Sequence, residues 1–145
     1  MKVTDLMIGD LILINNTPHK IQAIDSIDAE IQADDELYYV GEDRCHSEDK
    51  IEGIPITPEI LKKNGFKYKT TDWEAVYAGP RYGKYNLKKF HVLIGKENII
   101  LASYYGYMGR GDVDAHEFAY INYVHELQHA LRLCSLNELA DNFKV

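Results

Sequence analysis

Two histidines and a glutamate near the end of the chain have the spacing of a metal-binding motif. The segment YVHELQHALRL, residues 123–133, contains His125, Glu126 and His129 in the order H-E-x-x-H. On a helix, two imidazoles one turn apart can ligate one Zn²⁺, and the glutamate between them can polarise a metal-bound water. This spacing is typical of a zinc hydrolase in which His125 and His129 hold the metal and Glu126 is the general base.

A catalytic zinc also needs a third protein ligand, and the sequence does not offer one in a recognised position. His129 is followed by ALRLCS, without the glycine and histidine of the extended zinc-peptidase motifs. Glu138 or Asp141 would act from close to the chain end, and His91 or His116 would have to approach from upstream. We therefore expect no catalytic residue, no metal and no cofactor at this motif, and we keep the zinc hydrolase as an alternative.

The motif lies in the longest segment with helical periodicity, which predicts a helix from about residue 117 to residue 134. His125 and His129 fall nearly opposite the apolar stripe of this helix, so the pattern predicts a polar face turned away from the core. The stripe itself, expected to lie on a sheet, consists of Tyr120, Val124, Leu127, Leu131 and Cys134.

Three stretches of the sequence resemble a group of small uncharacterised proteins from gut Bacteroidota and their phages. They are VTDLMIGDLILIN at residues 3–15, IEGIPITPEILKKNGF at residues 51–66, and the late helix itself. In that group the late helix commonly reads V-H-Q-L-Q followed by Asn or His, so the resemblance implies that Glu126 is a departure of this chain, and His129 another where the group has Asn. The resemblance implies a group that does not consist of peptidases, and it brings no known activity with it.

Charge is distributed unevenly along the 145 residues. Residues 1–55 contain 4 Lys/Arg and 13 Asp/Glu, whereas residues 56–145 contain 12 and 10. The composition changes where Pro55 would interrupt a strand, so we place a boundary there. The prediction is an acidic, β-rich subdomain of residues 1–55 and an α+β subdomain of residues 56–145.

The pattern of short apolar segments predicts an α+β fold. In residues 1–55, strand-length segments separated by Asp, Asn and Gly indicate a meander or a small barrel, and Gly9-Asp10 is compatible with an SH3-like barrel. Thr57, Pro58 and Gly65 have the positions of an N-cap, a first helical residue and a C-terminal glycine, which predicts a helix of about two turns. Later segments rich in β-branched and aromatic residues indicate an antiparallel sheet, which we expect the long C-terminal helix to cover.

Residues 62–96 combine nine Lys/Arg with seven aromatic residues, a mixture that can bind single-stranded nucleic acid by stacking and phosphate contacts. The alternative is a sheet with rings in its core and lysines in water, and we favour it. The acidic first half would repel phosphates, so nucleic acid is not an expected partner. The glycine-rich loop at residues 106–112 lacks the Lys and Ser/Thr of a phosphate-binding loop.

No apolar run approaches the roughly 20 residues that cross a bilayer, and no basic segment precedes an apolar stretch at the N-terminus. Cys45 and Cys134 are far apart in the sequence and belong to no C-x-x-C pair, which favours a reducing, cytoplasmic location. By elimination we expect a non-catalytic protein-interaction module, associated with phages or mobile elements, whose partner is a protein. The sequence determines neither the partner's identity nor the oligomeric state.

Overall fold

The computed structural model describes residues 2–40, 49–70, 75–82, 88–95, 99–105 and 114–145. These residues belong to two compact units, the first comprising Met1–Pro55 and Tyr123–His129 and the second comprising Ile56–Asn122 and Ala130–Val145. Each unit contains one antiparallel sheet of five strands, and the few helices include one near the C-terminus. The fold is therefore α+β, as the sequence predicts. Cys45 and the glycine-rich loop 106–112 lie outside the described residues.

The sheet of the first unit is built from short strands in the order β4-β3-β2-β1-β5, so β1 to β4 form the expected meander and β5 returns beside β1. Within the described residues this sheet does not close into a barrel, so an SH3-like barrel is not observed. A single 3-10 turn, Val3–Asp5, precedes the strands. The strand bounds are β1 Leu11–Ile14, β2 Thr17–Asp25, β3 Glu30–Ala33, β4 Glu36–Tyr39 and β5 Ile51–Gly53.

Two-residue turns set the register of this meander. Asn15 and Asn16 join β1 to β2, and Asp34 and Asp35 join β3 to β4; all four residues have positive φ angles. Asn and Asp tolerate this left-handed conformation, and two such residues in a row match the twist of a hairpin. The register places alternate aliphatic side chains on one buried face, and the resulting core contains Val3, Leu6, Ile12, Ile14, Ile21, Ile31, Ala33 and Val40.

The sheet of the second unit is a continuous meander in the order β10-β9-β8-β7-β6. Its described core side chains include Phe66, Phe90, Val92 and Leu101, each at most 3% exposed. The strand bounds are β6 Lys67–Thr70, β7 Ala75–Tyr82, β8 Lys88–Ile94, β9 Ile99–Tyr105 and β10 Asp114–Tyr120.

The short helix α1, Pro58–Lys63, confirms the predicted capping pattern. The Thr57 side chain accepts a hydrogen bond from the backbone N–H of Ile60, and Pro58 is the first helical residue. Gly65 has a φ of +79°, the left-handed conformation that ends many helices. A second short helix, α3, covers Asn137–Asp141.

The predicted helix over residues 117–134 is wrong in its first third. Residues 114–120 form strand β10, which pairs with β9 through Glu117 opposite Ala102 and Ala119 opposite Leu101. Helix α2 is shorter and covers Val124–Leu133. Alanine, glutamate and histidine at positions 115–119 do not favour strand over helix by themselves, so the cross-strand pairing decides the conformation. None of the helices in the described parts of the chain is long and apolar enough to span a membrane.

Candidate functional site

The H-E-x-x-H segment lies in the part of α2 that belongs to the first unit. Tyr123 forms an isolated antiparallel bridge with Pro55, and the backbone N–H of Val124 donates to the carbonyl of Ile54 at 2.8 Å. Val124 and Leu127 have no exposed surface. The start of the helix is therefore fixed to the chain segment that follows β5.

Gln128 joins the helix to the N-terminal segment of the same unit. Its side chain is completely buried, its Oε1 accepts a hydrogen bond from the backbone N–H of Leu11 at 2.9 Å, and its Nε2 donates to the carbonyl of Gly9 at 3.1 Å. A buried amide whose donor and acceptor both have partners stabilises one arrangement of two chain segments. No sequence pattern singles out Gln128, because only the metal-ligand positions of the motif carry a recognised one.

His129 is paired with Asp10 in the same region. The Nε2 atom of His129 lies 2.6 Å from Oδ2 of Asp10, whose side chain is completely buried, while the histidine side chain is 22% exposed. The same Asp10 oxygen accepts a hydrogen bond from the backbone N–H of Met7 at 2.7 Å. In the sequence Asp10 stands out only as part of a Gly-Asp pair, and no local pattern links it to His129.

Glu126, the candidate general base, has a structural contact at the start of the helix. Its Oε2 accepts a hydrogen bond from the backbone N–H of Tyr123 at 3.0 Å. A glutamate at the third helical position can accept a hydrogen bond from the backbone N–H of the N-cap residue. This contact is half of a capping box. The sequence spacing that is typical of a zinc hydrolase is therefore also the spacing of a helix cap, and the cap is the contact observed.

His125 is the member of the motif whose environment differs most from the prediction. The sequence pattern placed it on an exposed polar face, but it is only 4% exposed. Its ring stacks on Tyr123 with centroids 5.7 Å apart and planes 8° from parallel, and it meets the His129 ring edge-on at 5.9 Å. The prediction was wrong because the helix buries His125 in addition to the side chains of its apolar stripe.

The Nδ1 atom of His125 is buried and has no hydrogen-bond partner among the described residues. Burial lowers the pKa of His125 from its ordinary value of 6.5, although the negative charges of Asp10 and Glu126 act in the opposite direction. The ring is thus favoured in its neutral form, in which one nitrogen can accept a hydrogen bond. Most buried polar atoms have a partner, so this atom is a candidate for contact with a ligand.

A cleft with a volume of about 850 Å³ opens beside the histidines. It is bounded by strand β5 with the residues after it, by the start of α2, and by side chains from the N-terminal segment and β1. Its described lining is Asp5, Leu13, Ile51, Glu52, Gly53, Pro55, Tyr123, His125, Glu126 and His129.

The close approach of the Tyr123 ring to Gly53 shapes this cleft. A Cβ atom built on Gly53 would lie 2.5 Å from Cδ1 of Tyr123, which is closer than any side chain tolerates. Only glycine therefore allows the ring to occupy this position against β5. The ring in turn covers one face of His125.

The residues around the motif do not assemble a metal centre in the described part of the chain. No group of three or more His, Cys, Asp or Glu side chains there is arranged to hold an ion. Asp10, which is not part of the sequence motif, accepts a hydrogen bond from the backbone N–H of Met7 and is paired with His129. Asp141, considered as a third ligand, contacts the guanidinium of Arg132 in the second unit at 3.2 Å.

The basic aromatic segment 62–96 presents few of its described rings at the surface. Phe66, Tyr77 and Phe90 are at most 4% exposed, whereas Tyr68 is 51% exposed. The three buried rings agree with the packed-sheet interpretation of this segment. Trp73 and Tyr85 lie outside the described residues.

No protein-family model matches this chain, and no curated protein or solved structure is detectably similar to it.

Proposed function

We propose that this chain is a non-catalytic protein-interaction module and that its partner binds at the cleft of the first unit. The observation that carries the proposal is the set of contacts made by the motif. Glu126 caps the helix, Gln128 bonds two backbone groups, and His129 is paired with Asp10. Gln128 and His129 thus hold α2 to the N-terminal segment, and Glu126 is engaged in capping the helix itself.

The cleft supports the interaction part of the proposal. It offers carboxylates, an aromatic ring that is 40% exposed at Tyr123, and a buried histidine nitrogen without a partner among the described residues. Met7 and Ile8 are exposed large apolar side chains on the N-terminal segment, at 47% and 63%. An exposed aromatic ring in a concave surface, with further exposed apolar side chains in the same unit, is typical of proteins that bind another protein.

The proposal includes a cytoplasmic location, expected from the two isolated cysteines, and an association with phages or mobile elements, which rests on the resemblance described above. A zinc hydrolase using His125, Glu126 and His129 remains the alternative function, with zinc as its cofactor. Binding of single-stranded nucleic acid through residues 62–96 is the second alternative.

Affinity capture with matched charge variants tests the proposed function. Glu52→Lys reverses a charge in the cleft, whereas Asp28→Lys makes the same change at an exposed position that does not line it. We expect the wild-type chain and Asp28→Lys to retain a common protein partner from the source cell, and Glu52→Lys to lose it. A partner retained equally by all three proteins would exclude the cleft as the binding surface.

A further inference from the structure

We infer that the cleft of the first unit binds the guanidinium group of an arginine side chain presented by the partner protein. This inference rests on the proposed function and adds the chemistry of the occupant. The charges of the cleft, the bonding capacity of His125 and the aromatic ring of Tyr123 support it.

The charge of the cleft is complementary to a cation. Asp5, Glu52 and Glu126 contribute carboxylates to it, and no lysine or arginine is among its described lining residues. Lys50 lies outside the lining, and its Nζ is 3.0 Å from Oε2 of Glu52. Both side chains of that pair are substantially exposed, at 65% and 42%, so the pair is weak and a ligand cation can compete for Glu52.

His125 adds a requirement that a bare cation would not meet. The side chain lines the cleft and is more than nine-tenths buried. Its Nδ1 has no hydrogen-bond partner among the described residues and almost no accessible surface, so a ligand N–H donor that displaces the side chain covering it would satisfy a buried atom that now lacks a partner. The observation points to a ligand that donates hydrogen bonds as well as carrying positive charge.

Arginine fits these requirements better than lysine. Its planar guanidinium has five N–H donors, which can reach a carboxylate and a ring nitrogen at the same time. It also packs on aromatic rings, and the Tyr123 ring lines the cleft and is 40% exposed. The lysine ammonium is a point charge that can neither stack in this way nor present a planar fork of donors.

The test is a titration followed by nuclear magnetic resonance, with the full chain and three blocked amino acids as probes. Nα-acetyl-arginine methylamide carries the proposed group, the citrulline analogue is its neutral isostere, and the lysine analogue carries charge without the planar fork. We expect arginine to shift the amide signals of residues 51–55 and 123–129. The citrulline and lysine probes should bind at least about tenfold more weakly, as expected for the loss of charge-assisted bonds.

Two variants locate the site. Glu52→Gln removes one cleft carboxylate and should weaken arginine binding about three- to fivefold, whereas Asp28→Asn removes a charge outside the cleft and should leave it unchanged. Long-range ¹H–¹⁵N spectra should show the Nδ1 signal of His125 shifting on arginine binding and not on addition of the lysine probe, which carries the same charge.

Several results would overturn the inference. Equal binding of arginine and citrulline would exclude charge recognition, and equal affinity of Glu52→Gln and wild type would exclude the cleft. Zinc chloride shifting the same signals when arginine does not would identify a metal site instead. If a captured partner is lost with Glu52→Lys but the arginine probe does not bind, the arginine inference fails while the proposed function stands. If arginine binds as expected but no partner depends on the cleft, the proposed function fails.

Discussion

The Nε2 atom of His129 lies 2.6 Å from Oδ2 of Asp10, although the two residues are 119 positions apart in the sequence. The carboxylate has no exposed surface and also accepts the backbone N–H of Met7. A histidine that sequence patterns mark as a metal ligand is thus a structural partner of a buried acid. This pair and Gln128 hold the same turn of helix against the start of β1.

Asp10→Ala should lower the free energy of unfolding by about 3 kcal/mol, because it leaves His129 and a backbone N–H without their shared buried acceptor. Asp10→Asn keeps an oxygen for the Met7 N–H and should cost less. Urea denaturation followed by circular dichroism measures both. Asp28→Ala, at an exposed turn position, is the control and should change stability by less than about 0.5 kcal/mol. A loss below about 1 kcal/mol for Asp10→Ala would contradict the structural role.

His125 should make stability depend on pH in a defined direction. Burial lowers its pKa below the ordinary 6.5, so between the two values the unfolded chain binds more protons than the folded one. The free energy of unfolding therefore falls as the pH drops below about 6.5, and it levels out below the folded pKa. His125→Phe removes this dependence. The free energy of unfolding of wild type minus that of the variant should therefore decrease from about pH 7.5 to about pH 5.5. Parallel stability curves for the two proteins would be inconsistent with a lowered pKa.

Gly53→Ala should destabilise the first unit by about 1 to 3 kcal/mol, since the new methyl group would overlap the Tyr123 ring. Tyr123→Ala removes the obstacle. In a double-mutant cycle the second substitution should therefore cancel most of the effect of the first, giving a coupling energy above about 0.5 kcal/mol. If urea denaturation shows that the effects of the two substitutions on the free energy of unfolding are additive, the position of the Tyr123 ring does not depend on glycine at residue 53.

Leu127→Asp should prevent folding or lower stability by about 4 kcal/mol or more, because a charge would occupy a side-chain position with no exposed surface. Leu133→Asp is a matched control on the same helix, at a position that is 86% exposed. We expect this control to stay folded, as judged by thermal unfolding. Similar losses for the two variants would argue against the burial of Leu127.

Protein purified without a histidine tag should contain far less than one zinc ion per chain, because His129 is paired with Asp10 and Glu126 caps the helix. Plasma mass spectrometry measures the content, and a chelator should leave the melting temperature unchanged. Near-stoichiometric zinc that disappears in His129→Ala would refute this prediction. In that case Glu126→Gln would distinguish a general base from a helix cap. Loss of hydrolysis with the metal retained would identify Glu126 as the general base.

Local patterns in the sequence identified the features that depend on neighbouring residues. The strands of the first unit end at Asn and Asp turns, and α1 begins at Thr57, because turn and cap preferences act over two to four positions. Val124, Leu127 and Leu131 are wholly buried, as the helical period predicts. Tyr120, assigned to the same stripe, lies in a strand and is 66% exposed.

The site depended on contacts that no local pattern contains. Asp10 meets His129, and Gln128 meets the backbone of Gly9, across more than a hundred positions. The sequence of strand β10 wrongly predicts a helix, because the pairing of this segment with β9, not its own residue preferences, determines its conformation. Glu126 was interpreted as a candidate base because a capping glutamate and a zincin glutamate occupy the same position relative to the helix start.

The first unit is assembled from two stretches of chain, Met1–Pro55 and Tyr123–His129, with residues 56–122 between them. During synthesis on the ribosome, the N-terminal sheet emerges long before the side chain of Gln128 that bonds Gly9 and Leu11 exists. Until the rest of the chain has been synthesised, the carboxylate of Asp10 and the neighbouring polar groups of the nascent sheet remain hydrated. Contacts of such high sequence separation slow folding and prolong the time in which chaperones can bind.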